Sequence, residues 1–278
     1  DHHPLLPRLV IVIAAMLACA PLLRYGAIAG NDLWLHLIWV KHFTAQLAQG
    51  DLYPRWLMDM HLGAGSPTFY FYAPLAYYIA AIPGLIFPPI SLSMQHAIAE
   101  TSLIALSGLA FYHYARPRFG MLPALSAALV YMVLPYHYEI DLWTRQDLSE
   151  TAGYIWFPLV LHYTERLFDN EEALSGLAIA YACMMLTHLP TALLFSLCLA
   201  TYVLVLALPK PSWRLLARFS SAIALGILLA AIYWVPAVFC QKYIHAEEWW
   251  PPRYDFHLWF FPPSRPISPL IDAPFITR

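Results

Sequence analysis

Long apolar runs broken by short polar ones organise this chain from end to end. Seven stretches, roughly 6–26, 93–115, 121–137, 151–168, 173–188, 190–208 and 217–239, are mostly apolar. A helix needs about 20 such residues to cross a hydrocarbon core about 30 Å thick, and the shorter stretches cross with little tilt or by borrowing flanking residues. Polar breaks separate them, among them Arg116-Pro117-Arg118, the acidic and basic run 165–172, and Lys210 to Arg214. The pattern predicts an all-α integral membrane protein with about seven transmembrane helices.

Orientation follows from the short loops, because Lys and Arg resist translocation. With the stretches alternating, Arg8, Arg116, Arg118, Arg166, Lys210, Arg214 and Arg218 fall on one side, which is the cytoplasm. The N-terminus is then cytoplasmic. A first loop over 27–92, a second over 137–150 and a tail over 240–278 are extracytoplasmic. Within the first loop, 71–89 is apolar enough to cross but rich in Pro and Tyr, and counting it as a span would carry Arg116 and Arg118 outside. It is expected to be a juxtamembrane or re-entrant helix.

Composition strengthens the membrane reading. Hydrophobic residues make up 60% and charged residues 12% of 278 positions, against roughly 25% charged in soluble chains. The net charge of -2 implies neither a nucleic-acid face nor an acidic tail. Cys19, Cys183, Cys198 and Cys240 are scattered without metal spacing and read as packing residues. The first apolar run lacks a good cleavage site and is expected to remain as a helix. No phosphate-binding glycine motif is present in the short cytoplasmic loops.

Candidate chemistry lies on the outer face. Asp32 and His36 are four residues apart on one face of an expected amphipathic helix. Asp32 is either the helix cap or a carboxylate base held against the bilayer, with His36 as its polar neighbour. Gly63, Gly65 and Pro67 precede four aromatic rings, which reads as a turn with an aromatic belt. The stretch 136–150 holds Glu139, Asp141, Asp147, Glu150, Arg145 and His137, the densest ionisable cluster in the chain. It is either a solvated loop with local ion pairs or a site where Arg clamps a phosphate and carboxylates accept a proton or a metal. His188, at a helix junction, is a structural hydrogen-bonding residue or a ligand. His96 and Glu100 fall within the second span or at its interfacial end.

In order along 30–243, these features resemble the GT-C superfamily of membrane glycosyltransferases, and within it the bacterial membrane proteins labelled 6-pyruvoyl-tetrahydropterin-synthase-related. The residues that carry the resemblance begin with Asp32 and His36, Pro54-Arg55-Trp56, and Gly63-x-Gly65-x-Pro67-x-Phe69. They continue with Leu134-Pro135-Tyr136, Asp141-Leu142-Trp143-x-Arg145 and Glu150, then Thr187-His188-x-Pro190-Thr191, then Tyr233-Trp234-Val235-Pro236 and Lys242-Tyr243. The resemblance implies a seven-helix module over 1–239 with juxtamembrane helices in its first loop, in a bacterial cytoplasmic (inner) membrane. It also implies inverting transfer of a sugar from a polyprenyl-phosphate donor to an extracytoplasmic acceptor. Asp32 would be the base or a metal ligand, with His36 and Glu150 beside it in catalysis. The second-loop acid would be Glu139, Asp141 or Glu150. Arg145 would face the donor phosphate, with Arg55 and His188 also on the substrate. A divalent metal, Mg or Mn, would fall to Asp32 and Asp141. A shared site requires Asp32 and the 139–150 carboxylates to lie within about 15 Å, a span one sugar or metal can bridge.

A second reading is a non-catalytic membrane subunit or scaffold of the same fold that docks a partner protein. The chain starts at Asp1 without Met and runs 39 residues past 239, so it is expected to be trimmed or part of a complex. A transporter is disfavoured, because no paired broken helices recur in two matching halves.

Overall fold

The computed structural model describes residues 5–169, 172–209 and 211–245. The chain divides into two compact units, Asp1–Val238 and Phe239–Arg278; of the second, the described residues form a helix end and a 3-10 turn at Gln241–Tyr243. The aromatic tail expected over 240–278 lies outside the described residues beyond 245.

Helices follow one another throughout. They are α1 Leu5–Ala18, α2 Ala20–Tyr25, α3 Leu33–Ala48, α4 Thr68–Phe71, α5 Leu75–Ile86, α6 Leu92–Phe119 and α7 Met121–Met132. A π-helical segment Tyr136–Arg145 leads to α8 Leu148–Gly153, α9 Trp156–Phe168, α10 Leu174–Thr187, α11 Leu189–Ala207, α12 Trp213–Leu229 and α13 Ala231–Cys240. Among the described residues the β pairing is confined to one antiparallel bridge, Leu57 with Ser66.

Two helices are long and apolar enough to cross a membrane unaided: Met121–Arg145, where α7 runs on into the π-helical segment, and α11. The pair Trp213–Leu229 and Ala231–Tyr243, bent by 64°, makes a third if taken as one span. Several stretches expected as unbroken spans are therefore interrupted, and a proline lies just past most of the breaks, where its missing N–H removes a hydrogen bond that would carry the helix through. The first stretch breaks at Cys19, with Pro21 opening α2. The fourth breaks before Trp156, with Pro158 in the first turn of α9.

The membrane is visible in what the surface exposes. Along α11, Leu193, Leu194, Leu197, Leu204 and Val205 all stand open, a continuous apolar face that only lipid solvates well. α6 is different. Its 28 residues reach about 42 Å, but Gln95, His96, Glu100, Thr101 and Ser107 are buried along it and lower its hydropathy. Packed between α1, α3, α5, α7, α8 and α9, it turns those groups to protein rather than lipid. Ser91 caps its start by accepting from Met94 N–H, and Gly120 at φ +78° ends it after Arg116 and Arg118.

The first loop folds onto this central helix. α3 buries Leu33, His36, Val40, Phe43 and Gln46, spaced three and four apart, against α5 and α6. α5 has 12 residues and is about 18 Å long. Gly26, at φ +77°, breaks α2 and lets the next residue dock on α6: Ala27 N–H donates to the Ser93 carbonyl at 3.2 Å, and Ser93 Oγ to the Ala27 carbonyl at 2.8 Å. Three apolar cores result: one among α1, α6 and α7, one among α3, α5, α6 and α8, and one among α9 to α12.

Candidate functional site

The stretch over 137–150 is helical rather than an open loop. The π-helical turns put Asp141 and Arg145 on one face, and the segment ends at Gln146. Gln146 sits in the left-handed region at φ 56°, where a residue with a Cβ is strained, and it is 1% exposed. That turn points Asp147 into the start of α8, where its Oδ1 accepts from the N–H groups of Ser149 (3.1 Å) and Glu150 (3.0 Å). Asp147 is thus an N-cap, while its own N–H donates to the Asp141 carbonyl at 3.0 Å and the carboxylate of Glu150, at the third helical position, is left to Arg145.

The first loop is laid across the end of this segment. Asn31 N–H donates to the Thr144 carbonyl at 3.1 Å and Asp32 N–H to the Arg145 carbonyl at 2.9 Å. Gly30 makes the approach possible: a Cβ there would stand 2.8 Å from the Arg145 carbonyl oxygen and 2.7 Å from Gln146 Cγ.

Four carboxylates converge on Arg145. Its Nε donates to Asp32 Oδ2 at 3.1 Å, Nη1 to Asp141 Oδ1 at 3.2 Å and Glu150 Oε2 at 2.5 Å, and Nη2 to Asp147 Oδ2 at 2.5 Å. These acids share one guanidinium and lie far inside the 15 Å bound. Burial is graded: Asp141 is 0% and Asp147 4% exposed, while Asp32 is 34% exposed and open to a partner in solution. Four of the five guanidinium N–H groups are taken. Four acids around one fixed cation leave the group short of positive charge.

His36 joins through Asp147, not Asp32. Its Nε2 is 3.6 Å from Asp147 Oδ1 and its Nδ1 is 2.6 Å from Tyr77 Oη. The contacts suit a neutral ring with Tyr77 donating to Nδ1 and the proton on Nε2, facing the carboxylate. Burial drives the His36 pKa down to about 4, with Asp147 opposing it. Burial pushes Asp147 the other way, but His36, Arg145 and the Glu150 N–H outweigh it and hold the carboxyl below its usual range. His188, at the α10–α11 junction, bonds Thr191 Oγ1 through Nδ1 at 2.6 Å. Its pKa is lowered by burial, against the opposing pull of Asp147 and Glu150. Behind His36, at 6.5 Å between ring centroids, stands His96, whose Nε2 is 3.5 Å from Glu100 Oε1, both fully buried. They lie inside the bundle, not at its interface.

Two residues expected at the site are engaged elsewhere. Arg55 stacks on the Tyr53 ring at 4.4 Å and donates to the Ile232 carbonyl at 2.9 Å. Glu139 is exposed, and its carbonyl accepts from Thr144 Oγ1 at 2.8 Å. Conversely, the sequence places Asp147 in the acidic cluster without a role of its own and does not mark Tyr77. The spacing of Asp147 and Glu150 just before an apolar run is a capping signal that marks Asp147, whereas nothing local marks Tyr77, 41 residues from His36.

Oxygen donors of this kind suit Mg or Mn. Here, however, the guanidinium occupies the point where Asp32 and Asp141 converge, and no three His, Cys, Asp or Glu side chains among the described residues are grouped to hold an ion. The arrangement as it stands does not fit a metal.

A family described as 6-pyruvoyl-tetrahydropterin synthase related domain, membrane protein, matches residues 69–276. No curated protein matches the chain.

Proposed function

The chain belongs to the 6-pyruvoyl-tetrahydropterin synthase related family of membrane proteins, and from that premise we propose that it is a glycosyltransferase working at the outer face of a bacterial inner membrane. It moves a sugar, with inversion, from a polyprenyl-phosphate donor to an extracytoplasmic acceptor, within a GT-C-like module of about seven membrane-embedded helices. The observation that carries this reading is the convergence of Asp32 and the second acidic segment on Arg145.

Asp32, the most exposed of the three acids Asp32, Asp141 and Asp147, takes the proton from the acceptor hydroxyl. Asp141, Asp147 and Glu150 fix the guanidinium, and Arg145 in turn fixes Asp32, so the base is held before substrate arrives. Arg145 is the cation nearest the leaving phosphate, with one N–H left over and a second freed if a carboxylate lets go. His36 orients Asp147. The test is sugar transfer by the purified chain in a bilayer, with a polyprenyl-phosphate sugar as donor and a hydroxyl acceptor. Product above the donor's spontaneous hydrolysis supports the proposal.

One observation favours a second reading. An Arg bonded to four carboxylates is a clasp that joins two loops without needing a substrate, as expected of a non-catalytic subunit or scaffold that docks a membrane protein partner. In that case the chain transfers no sugar, and neutralising Asp32 changes stability alone.

A further inference from the structure

His96 and Glu100 sit in the core without the partners that a buried imidazole and a buried carboxylate need. Both are 0% exposed and lie one turn apart on α6. His96 Nε2 is 3.5 Å from Glu100 Oε1, within ion-pair reach but without hydrogen-bond geometry. Neither oxygen of Glu100 and neither ring nitrogen of His96 has a hydrogen-bond partner. Across the packed α6–α8 contact, the Thr151 hydroxyl is also fully buried and unpaired, and it acts on Glu100. Thr151 stands one turn beyond Asp147, to whose carbonyl its N–H donates at 3.0 Å. Two polar pairs therefore lie on adjoining helices, His96 with Glu100 and Asp147 with Thr151. His36 of α3 is near both, its ring 6.5 Å from that of His96 and its Nε2 3.6 Å from Asp147 Oδ1.

We propose that His96, Glu100 and Thr151 form an internal water-binding site between α6 and α8, behind His36. An unpaired polar atom in the core is costly, and atoms of this kind are satisfied by interior water, which makes about three hydrogen bonds per molecule. Water suits the set because it both donates and accepts: it donates to the Glu100 oxygens and donates to or accepts from the His96 nitrogens and the Thr151 hydroxyl. A transition metal does not suit it, since among the described residues no third His, Cys, Asp or Glu side chain is grouped with this pair. Bound water gives the proton of the His96–Glu100 pair an exchange partner at a depth that bulk solvent does not reach, as ionisable residues that carry protons inside membrane helices require. The inference is independent of the sugar-transfer reading, since it assigns no step of that reaction to these three residues.

The test is magic-angle-spinning NMR of the full chain in lipid bilayers, with glutamine labelled at its carbonyl carbon and histidine labelled with carbon and nitrogen isotopes. Gln95–His96 is the one Gln–His pair in the sequence, so His96 is identified without a substitution. Polarisation passed from water reaches the His96 ring nitrogens several-fold faster than the His96 backbone amide, which lies within α6. Arrival at ring and amide at the same rate overturns the site. Thr151→Val then removes one wall. Transfer to the ring slows and the melting temperature falls by a few degrees, because the bound water loses a partner. A rise in melting temperature, the result for a hydroxyl buried dry, overturns the site, and so does water transfer that is unchanged in the variant. If Thr151→Val does not fold, the wild-type transfer rates alone decide.

Discussion

Asp32 and Arg145 are tied twice: Asp32 N–H donates to the Arg145 carbonyl at 2.9 Å, and Arg145 Nε donates back to Asp32 Oδ2 at 3.1 Å. The main-chain bond sets where the first loop crosses the second, and the side-chain bond uses that register to aim the carboxylate. Because the two residues are 113 positions apart, the site exists only once both loops have folded onto α6.

Removal of Arg145 exposes the cost of holding those acids together. Arg145→Met leaves Asp141 and Asp147 buried without their cation, and stability falls by about 3–5 kcal/mol, the usual penalty for stranding a buried partner. Arg145→Lys falls less but still measurably, because one ammonium cannot replace a planar fork bonded to four carboxylates. Thermal unfolding in detergent measures both.

Stability depends on pH through His36. Its native pKa is near 4, against 6.5 for the free side chain, so below pH 6.5 the unfolded chain takes up a proton that the native ring does not. The His36 contribution is therefore full above pH 6.5, declines as pH falls toward 4, and levels off below, with a total on the order of 3 kcal/mol, while Asp141, pushed up to about 8 by burial, works in the opposite sense between about pH 4 and 8. Asp147, held low, adds its own loss only at more acidic pH, below the ordinary carboxylate value. In His36→Gln the decline that His36 causes between pH 6.5 and 4 is gone from unfolding curves taken across that range.

Gly30→Ala tests the loop crossing without touching a charge. The new methyl stands 2.8 Å from the Arg145 carbonyl, so the loops part or the backbone shifts, at a cost of roughly 1–3 kcal/mol. Loss of stability together with loss of any Asp32-dependent activity is the expected outcome.

The exposed face of α11 tests the membrane assignment. Leu197 lies near the middle of the helix and is 65% exposed. Leu197→Arg raises the cost of insertion by about 2.5–3.5 kcal/mol at a helix centre, read as a reduced inserted fraction in a membrane-integration assay. Leu197→Phe leaves insertion unchanged.

Much of this was legible in the chain itself. Hydropathy placed helices along most of the expected stretches, and the recurrence of apolar residues after Asp32, through Ile38, Trp39 and Phe43, announced a helix where α3 stands. The acidic stretch and Asp32 could be named, but not their geometry. Asp32 and His36 share a face by spacing, yet each reaches a different partner, Arg145 and Asp147, because the second loop arrives between them from far along the chain. The clustering of Arg145 with four acids is a tertiary fact that local pattern does not encode. Breaks at Cys19 and before Trp156 were hidden because apolar composition continues across them while proline interrupts the hydrogen bonds. Whether His96 and Glu100 fall inside the second span or at its interfacial end stays open in the sequence; they are buried because α6 is covered by protein on many sides.

The most direct measurement compares wild type with Asp32→Asn for sugar transfer from a polyprenyl-phosphate donor under single-turnover conditions. Asparagine keeps the shape and can still accept from Arg145 Nε, but it cannot take a proton. The account predicts a transfer rate lower by about 10²–10⁴-fold, the range for a lost general base, in a variant that unfolds at nearly the wild-type temperature. Transfer at the wild-type rate in Asp32→Asn would contradict it.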